Sequence, residues 1–293
     1  MAARYGNIGA FNTVLKHIKH CFKETFLSNK SRILFAVSLL FTSNTLLADT
    51  TPLTPHTAEY QVNYGSIELG RARYILSAPD GGVFQYRFDS DVSLLMLSDQ
   101  RHIRSEFTLQ DNQLVPMRYS VERTGTGPDF REQIAFAKRQ NVVHSRYKDE
   151  RAKFPYDAEL FDALMVQLQF RLDMAANKEE LHYTMVKEGE IDDYAFKIVG
   201  KERVNIDSGS YQTLKFEVKR DSTKRQTFFW MSPELSYLPI RLTHFEKGSK
   251  QLDIKLLSYK FEQDIDVVMP VIEPTIAETV KPETTASGNT IEQ

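Results

Sequence analysis

Residues Tyr156 to Ala176 read YDAELFDALMVQLQFRLDMAA. No other long stretch after residue 48 has the same rhythm. Phe161, Leu164, Met165, Leu168 and Leu172 recur at steps of three and four, which places them on one face of a helix. Leu160, Phe170 and Met174 widen that face. Pro155 stands just ahead, where its missing N–H does no harm. Asp157, Glu159 and Asp162 suit the positive end of a helix dipole, and Asn177 is a stop signal. The spacing predicts one helix over 156–176.

On both sides of this stretch the apolar period drops from near four to two. Before it, Ala58, Tyr60, Val62 and Tyr64 alternate with polar residues, as do Phe84, Tyr86 and Phe88. Ile103, Phe107 and Leu109 follow, then Met117, Tyr119 and Val121, then a hairpin of Phe130–Ala137 and Val142–Tyr147. After it come Leu181–Lys187, Tyr194–Val199, Lys201–Ile206, Leu214–Val218, Thr227–Met231, Leu238–Leu242 and Leu252–Phe261. Turn chemistry separates them, as at Asp80-Gly81-Gly82, Asp207-Ser208-Gly209 and Lys247-Gly248. Gly70 inside a strand predicts a bulge or sharp bend. Val92–Leu97 breaks the alternation and reads as a short helix or an exposed apolar loop. About a dozen short strands with tight turns make antiparallel hairpins. The expected fold is mainly β: a strongly curved antiparallel sheet, an open or incomplete barrel, around one central helix.

The 293 residues are 41% hydrophobic and 26% charged, an ordinary globular balance. Six basic residues and one acid fall in residues 1–48, so 31 bases and 38 acids remain of the chain's 37 and 39. A net of −7 after residue 48 argues against nucleic acid or anionic lipid as a general partner. Lys30 and Arg32 precede ILFAVSLLF, Ile33 to Phe41, a run far short of the ~20 residues that span a bilayer. With Leu46-Leu47-Ala48 behind it, residues 1–48 read as an export signal cleaved after Ala48. The part ahead of Lys30 is long for a signal, so either the signal is extended or translation starts later than Met1. Cys21, the sole cysteine, lies upstream of the apolar run, where it cannot carry a lipid anchor or a mature disulfide. A soluble periplasmic protein is expected, with no transmembrane helix after cleavage. Residues 49–263 form one β-rich domain. Asp264 to Gln293, with six acids, Lys281 and three prolines, reads as a disordered acidic tail.

Motifs for chemistry are scarce. Gly-x-Ser-x-Gly and His-Glu-x-x-His do not occur. His56, His102, His144, His182 and His244 are far apart, and Gly125-Thr126-Gly127 lacks the lysine of a phosphate loop. Glu188, Glu190, Asp192 and Asp193 form an acidic turn without calcium-loop spacing. Lys219, Arg220, Lys224 and Arg225 make a basic hairpin tip, a solvated loop or a contact for an anion. No cofactor, metal site or catalytic residue is expected.

Several segments are similar to one family. Phe161-Asp162-Ala163-Leu164 through Arg171-Leu172-Asp173 resembles the helix of the exported bacterial domain of unknown function 3108. So do Tyr60-Gln61-Val62 with Tyr64-Gly65 and Leu69-Gly70, Tyr194-Ala195-Phe196 before Gly200, and Phe229-Trp230-Met231-Ser232-Pro233 before Tyr237-Leu238-Pro239-Ile240-Arg241. The resemblance spans roughly residues 57–262 and implies compartment and fold; the family has no established activity. By architecture it is similar to periplasmic lipoprotein carriers, in which an incomplete barrel wraps one helix. The function expected first is non-enzymatic binding of an apolar or amphiphilic ligand, a lipid or acyl chain, between sheet and helix. Phe161, Leu164, Met165 and Leu168 would line that space. The alternative is an envelope scaffold or assembly partner with a filled core, acting through its surface and acidic tail. A hydrolase of envelope polymers is the remote third.

Overall fold

The structure, a computed structural model, describes residues 50–262 apart from 157, 158, 221 and 223. The expected export signal and acidic tail lie outside the described residues. The outward half of the chain is β1 (His56–Tyr64), β2 (Ile67–Leu76), β3 (Phe84–Leu94), β4 (Leu97–Gln110), β5 (Gln113–Gly125), β6 (Phe130–Ala137), β7 (Val142–Tyr147) and β8 (Glu150–Pro155). Then come β9 (Phe161–Asp162) and the helix α1 (Met165–Ala175). The return half is β10 (His182–Lys187), β11 (Glu190–Ile206), β12 (Gly209–Val218), β13 (Arg225–Ser232), β14 (Leu238–Glu246) and β15 (Ser249–Phe261).

All fifteen strands belong to one sheet, in the order β8-β7-β6-β5-β4-β3-β2-β1-β15-β14-β13-β12-β11-β10-β9. Chain neighbours pair by hairpins, and β1 joins β15 antiparallel, with His56 opposite Phe261 and Asn63 opposite Asp253. β9 and β10 are the parallel pair. Among the described residues no ladder joins β8 to β9, so the sheet does not close into a barrel. Its two ends still touch: the Glu188 N–H, in the β10–β11 turn, donates to Glu132 Oε1 of β6 at 2.6 Å. Gly70 bends β2 as expected, with a register shift opposite it in β1. Its φ is +148°, and a Cβ there would fall 2.1 Å from the Asp91 carbonyl oxygen.

The helix is shorter than its periodicity suggests: Met165–Ala175, not 156–176. Asp162 is the cause. Its Oδ1 accepts the N–H groups of Leu164 (3.0 Å) and Met165 (2.8 Å), and its Oδ2 accepts the Ser105 hydroxyl at 2.6 Å. A carboxylate bound to the first N–H groups starts a helix behind itself. Phe161 and Asp162 run extended instead, pairing with Met185 and Val186. At the other end Asn177 takes φ +56°, and the Lys178 N–H closes on the Asp173 carbonyl at 2.9 Å, ending the helix where expected.

Two further readings change. Glu150–Pro155 forms an additional strand, and the segments on either side of Gly200 are one 17-residue strand with a bulge between Ile198 and Gly200. Val92–Leu97 is a hairpin end whose two turn residues, Leu95 and Met96, are 87% and 92% exposed.

Both halves of the sheet grip α1. Its apolar face packs into one cluster with Phe107, Tyr119 and Ile134 from the outward strands and with Tyr183, Phe216 and Met231 from the return strands. A second cluster, around Tyr60, Val62, Ile240 and Leu256, sits where β1 and β2 meet β14 and β15.

Candidate functional site

The expected ligand-lining residues do come together. Phe161 is 2% exposed, Leu164 3%, and Met165 and Leu168 0%. All four belong to the cluster that fills the space between helix and sheet. Phe161 also borders a surface depression of about 290 Å³ with Leu114, Tyr156 and Leu160. Polar groups rivet the same helix. Gln169 Oε1 accepts the Leu114 N–H of β5 at 3.0 Å, and Asp173 Oδ2 accepts the Tyr183 hydroxyl of β10 at 2.7 Å.

The least expected interior group is Arg171, fully buried on α1. Its Nε–H donates to the Ser236 carbonyl at 3.1 Å, and Nη1 lies 3.0 Å from His56 Nε2. His56 Nδ1–H donates to the Thr54 carbonyl at 2.7 Å, so Nε2 carries the lone pair that accepts from Arg171. Burial, then the adjacent guanidinium, pushes the His56 pKa down to about 3, so the ring is neutral. Arg171 Nη2 has no hydrogen bond of ordinary geometry among the described residues, though Tyr86 stands beside it.

A broad depression lies on the other face of the sheet, away from the helix. It measures about 800 Å³ and runs across β4 to β8. The register explains its make-up. One cross-strand row is Arg104, Ser120, Gln133, Arg146 and Arg151; the next is Glu106, Arg118, Ala135, His144 and Lys153. Side chains alternate between faces, so the intervening Ser105, Tyr119, Ile134 and Ser145 are buried on the core side while these rows face outward. Small Ser120 stands between Arg104 and Gln133, and small Ala135 between Arg118 and His144.

Five permanent cations and His144 thus share the groove with one carboxylate, Glu106. Arg104, Arg118, Arg146, Arg151 and Lys153 form no ion pair or side-chain hydrogen bond with the described residues. A neighbouring depression on β1–β4 makes the contrast. There Arg73 pairs with Glu59 at 2.6 Å and His102 with Asp89 at 2.7 Å, so charges are matched internally. The β4–β8 groove leaves its positive charge unmatched among the described residues.

The five histidines among the described residues do not converge: His56 is with Arg171, His144 in the groove, and His102, His182 and His244 bond Asp89, Asp193 and Thr227. Among the described residues no three His, Cys, Asp or Glu side chains group as a metal site. The basic tip flanks the β12–β13 turn, in the return half of the sheet, whereas the groove lies in the outward half. The cations are spread one or two to a strand over β4, β5, β7 and β8, so no single hairpin carries the whole groove. Collecting the outward positions of five successive strands would have shown the cations in one block.

The model of the family "Protein of unknown function (DUF3108)" matches residues 59–255. The chain belongs to that family. This DUF3108 match runs from β1 into β15 and so takes in every strand and α1. A search of curated proteins finds no match. Among solved structures, the chain is similar to a beta-barrel-like protein of domain of unknown function DUF1849 from Brucella abortus, at 9% identity and a TM-score of 0.49, covering 72% of this chain and 99% of that one. A chain from Parabacteroides distasonis, provisionally assigned as a lipoprotein, matches at 11% identity and a TM-score of 0.29, over 72% and 97%. The fold assignment rests on the sheet topology rather than on either likeness. Among the described residues no helix is long and apolar enough to cross a membrane.

Proposed function

We propose that this DUF3108 protein is an exported, non-enzymatic binding protein that takes an anionic ligand in the outer-face groove of β4–β8. The observation that carries the reading is the set of five unpaired cations around one carboxylate in a depression of about 800 Å³, a volume usual for ligand sites. The filled space around Phe161, Leu164, Met165 and Leu168 favours action through the surface over carriage of an acyl chain inside. Titration of the purified chain with inorganic tripolyphosphate at low salt tests it. Binding in the micromolar range is expected, weakening with added salt. Arg104→Glu/Arg146→Glu is expected to weaken it at least about tenfold, since charge-assisted hydrogen bonds contribute roughly 1.5–3 kcal/mol each. Equal binding by this variant, or none below about 1 mM, would overturn the reading.

A second reading keeps the amphiphile inside, and Arg171 favours it. A buried guanidinium with no carboxylate partner among the described residues suits the head group of a fatty acid. It requires α1 to move off the sheet. Mass spectrometry of gently purified protein would detect a co-purifying acyl chain in the wild type and not in Arg171→Met.

A further inference from the structure

We infer that β8 is a docking edge for a partner's extended segment of alternating acidic and apolar residues, which adds a sixteenth strand beside the basic groove. This rests on the anion-binding reading of that groove and names the kind of partner.

The two ends of the sheet are built differently. β9 is two residues long, and both Phe161 and Asp162 are buried. β8 has six residues, carries a strand on one side alone among the described residues, and exposes Glu150, Arg151, Lys153 and Pro155. An open edge presents backbone N–H and C=O groups at strand spacing, the template on which a peptide strand adds. Side chains of β8 then set who can add. Arg151 and Lys153 point to the groove face, about 7 Å apart as alternate residues of a strand, and His144 and Arg146 stand opposite them on β7. Half-buried Ala152 and Phe154 point to the other face, where Phe136 and Tyr156 meet edge to face at 5.7 Å. An added strand therefore meets cations on one face and an apolar margin on the other. Directly opposed unlike charges favour pairing and like charges oppose it. A second copy of β8 would set Arg151 and Lys153 against themselves, so the edge repels its own kind and accepts an acidic strand. Pro155 has no N–H and limits the addition to about the first five residues.

The test uses the purified chain, a nine-residue peptide alternating Asp and Val, and the same peptide N-methylated at alternate amides, which keeps charge and removes edge hydrogen bonds. The alternating peptide is expected to bind at least tenfold tighter than its methylated form. Amide exchange within Glu150–Phe154 should slow severalfold, and Arg151→Glu/Lys153→Glu should abolish both effects. If tripolyphosphate binds in the groove but the two peptides bind alike and β8 exchange is unchanged, strand addition is wrong while the anion groove stands. If neither probe binds, both fall. Self-association lost in the charge-reversal variant would make the occupant a second copy and overturn the acidic partner.

Discussion

Asp162 and Glu132 are carboxyl groups held where water barely reaches, and both respond to pH in a direction opposite to surface acids. Burial, against the pull of Ser105 and two backbone N–H groups, raises Asp162 from 3.8 to about 6. Burial also raises Glu132 from 4.5 to about 7, opposed by the Glu188 N–H and reinforced by the Glu188 charge. A folded pKa above the unfolded one means the folded state holds its proton longer. The stability these groups contribute is full below pH ~4 and is lost as pH rises through about 6 and about 7. Urea unfolding across pH 4–8 is expected to show wild type falling relative to Glu132→Gln, and to Asp162→Asn over the lower part of that window. The differences should be on the order of 3 kcal/mol. Arg171 makes a second test by size. Arg171→Ala leaves a cavity and strips His56 Nε2 and the Ser236 carbonyl of their donor, so about 2–4 kcal/mol of stability is expected to go. Arg171→Met fills the space and removes a desolvated charge but leaves the same two acceptors without a donor, so a smaller loss of about 1–2 kcal/mol is expected.

The helix shows how a side chain overrides periodicity. Its apolar spacing runs back through Phe161 and Leu160, yet Asp162 binds the first two N–H groups and the chain before it goes into a ladder. Spacing alone did not distinguish a helical apolar residue from one packed from an extended segment on the same core. Within α1 burial decides energetic weight: Leu168 is enclosed on all sides, whereas Leu172 is half-buried. Leu168→Ala is expected to cost about 3–5 kcal/mol and Leu172→Ala about 1–2, measured as midpoints in urea. β8 escaped notice because Ala152 and Phe154 are its sole apolar alternates, half-buried on a strand with one neighbour. The Leu95–Met96 turn was ambiguous because its exposed apolar residues carry no turn chemistry, and Leu95 adopts φ +54° without being Gly or Asn.

The β1–β15 ladder joins the two halves of the sheet. It pairs the first described strand with the last, so its contacts span almost the whole described chain, whereas the other ladders except β9–β10 are local hairpins. Closing so long a loop is entropically costly before any contact rewards it, which places this ladder late in folding. Val62→Ala in β1 is therefore expected to speed unfolding about tenfold while folding stays within about twofold, as read from a stopped-flow chevron. Reversal of that pattern would put β1 in the early nucleus. Local chemistry was enough for the alternating strands, their tight turns, the bend at Gly70, the helix stop at Asn177 and the mainly β class, because each depends on residues a few positions apart. The cationic groove, the Asp162 cap to Ser105, the Arg171–His56 contact and the open edge at β8 were decided by the sheet. Each depends on which strands lie side by side and in what register, and that is set by burial of both halves around one helix.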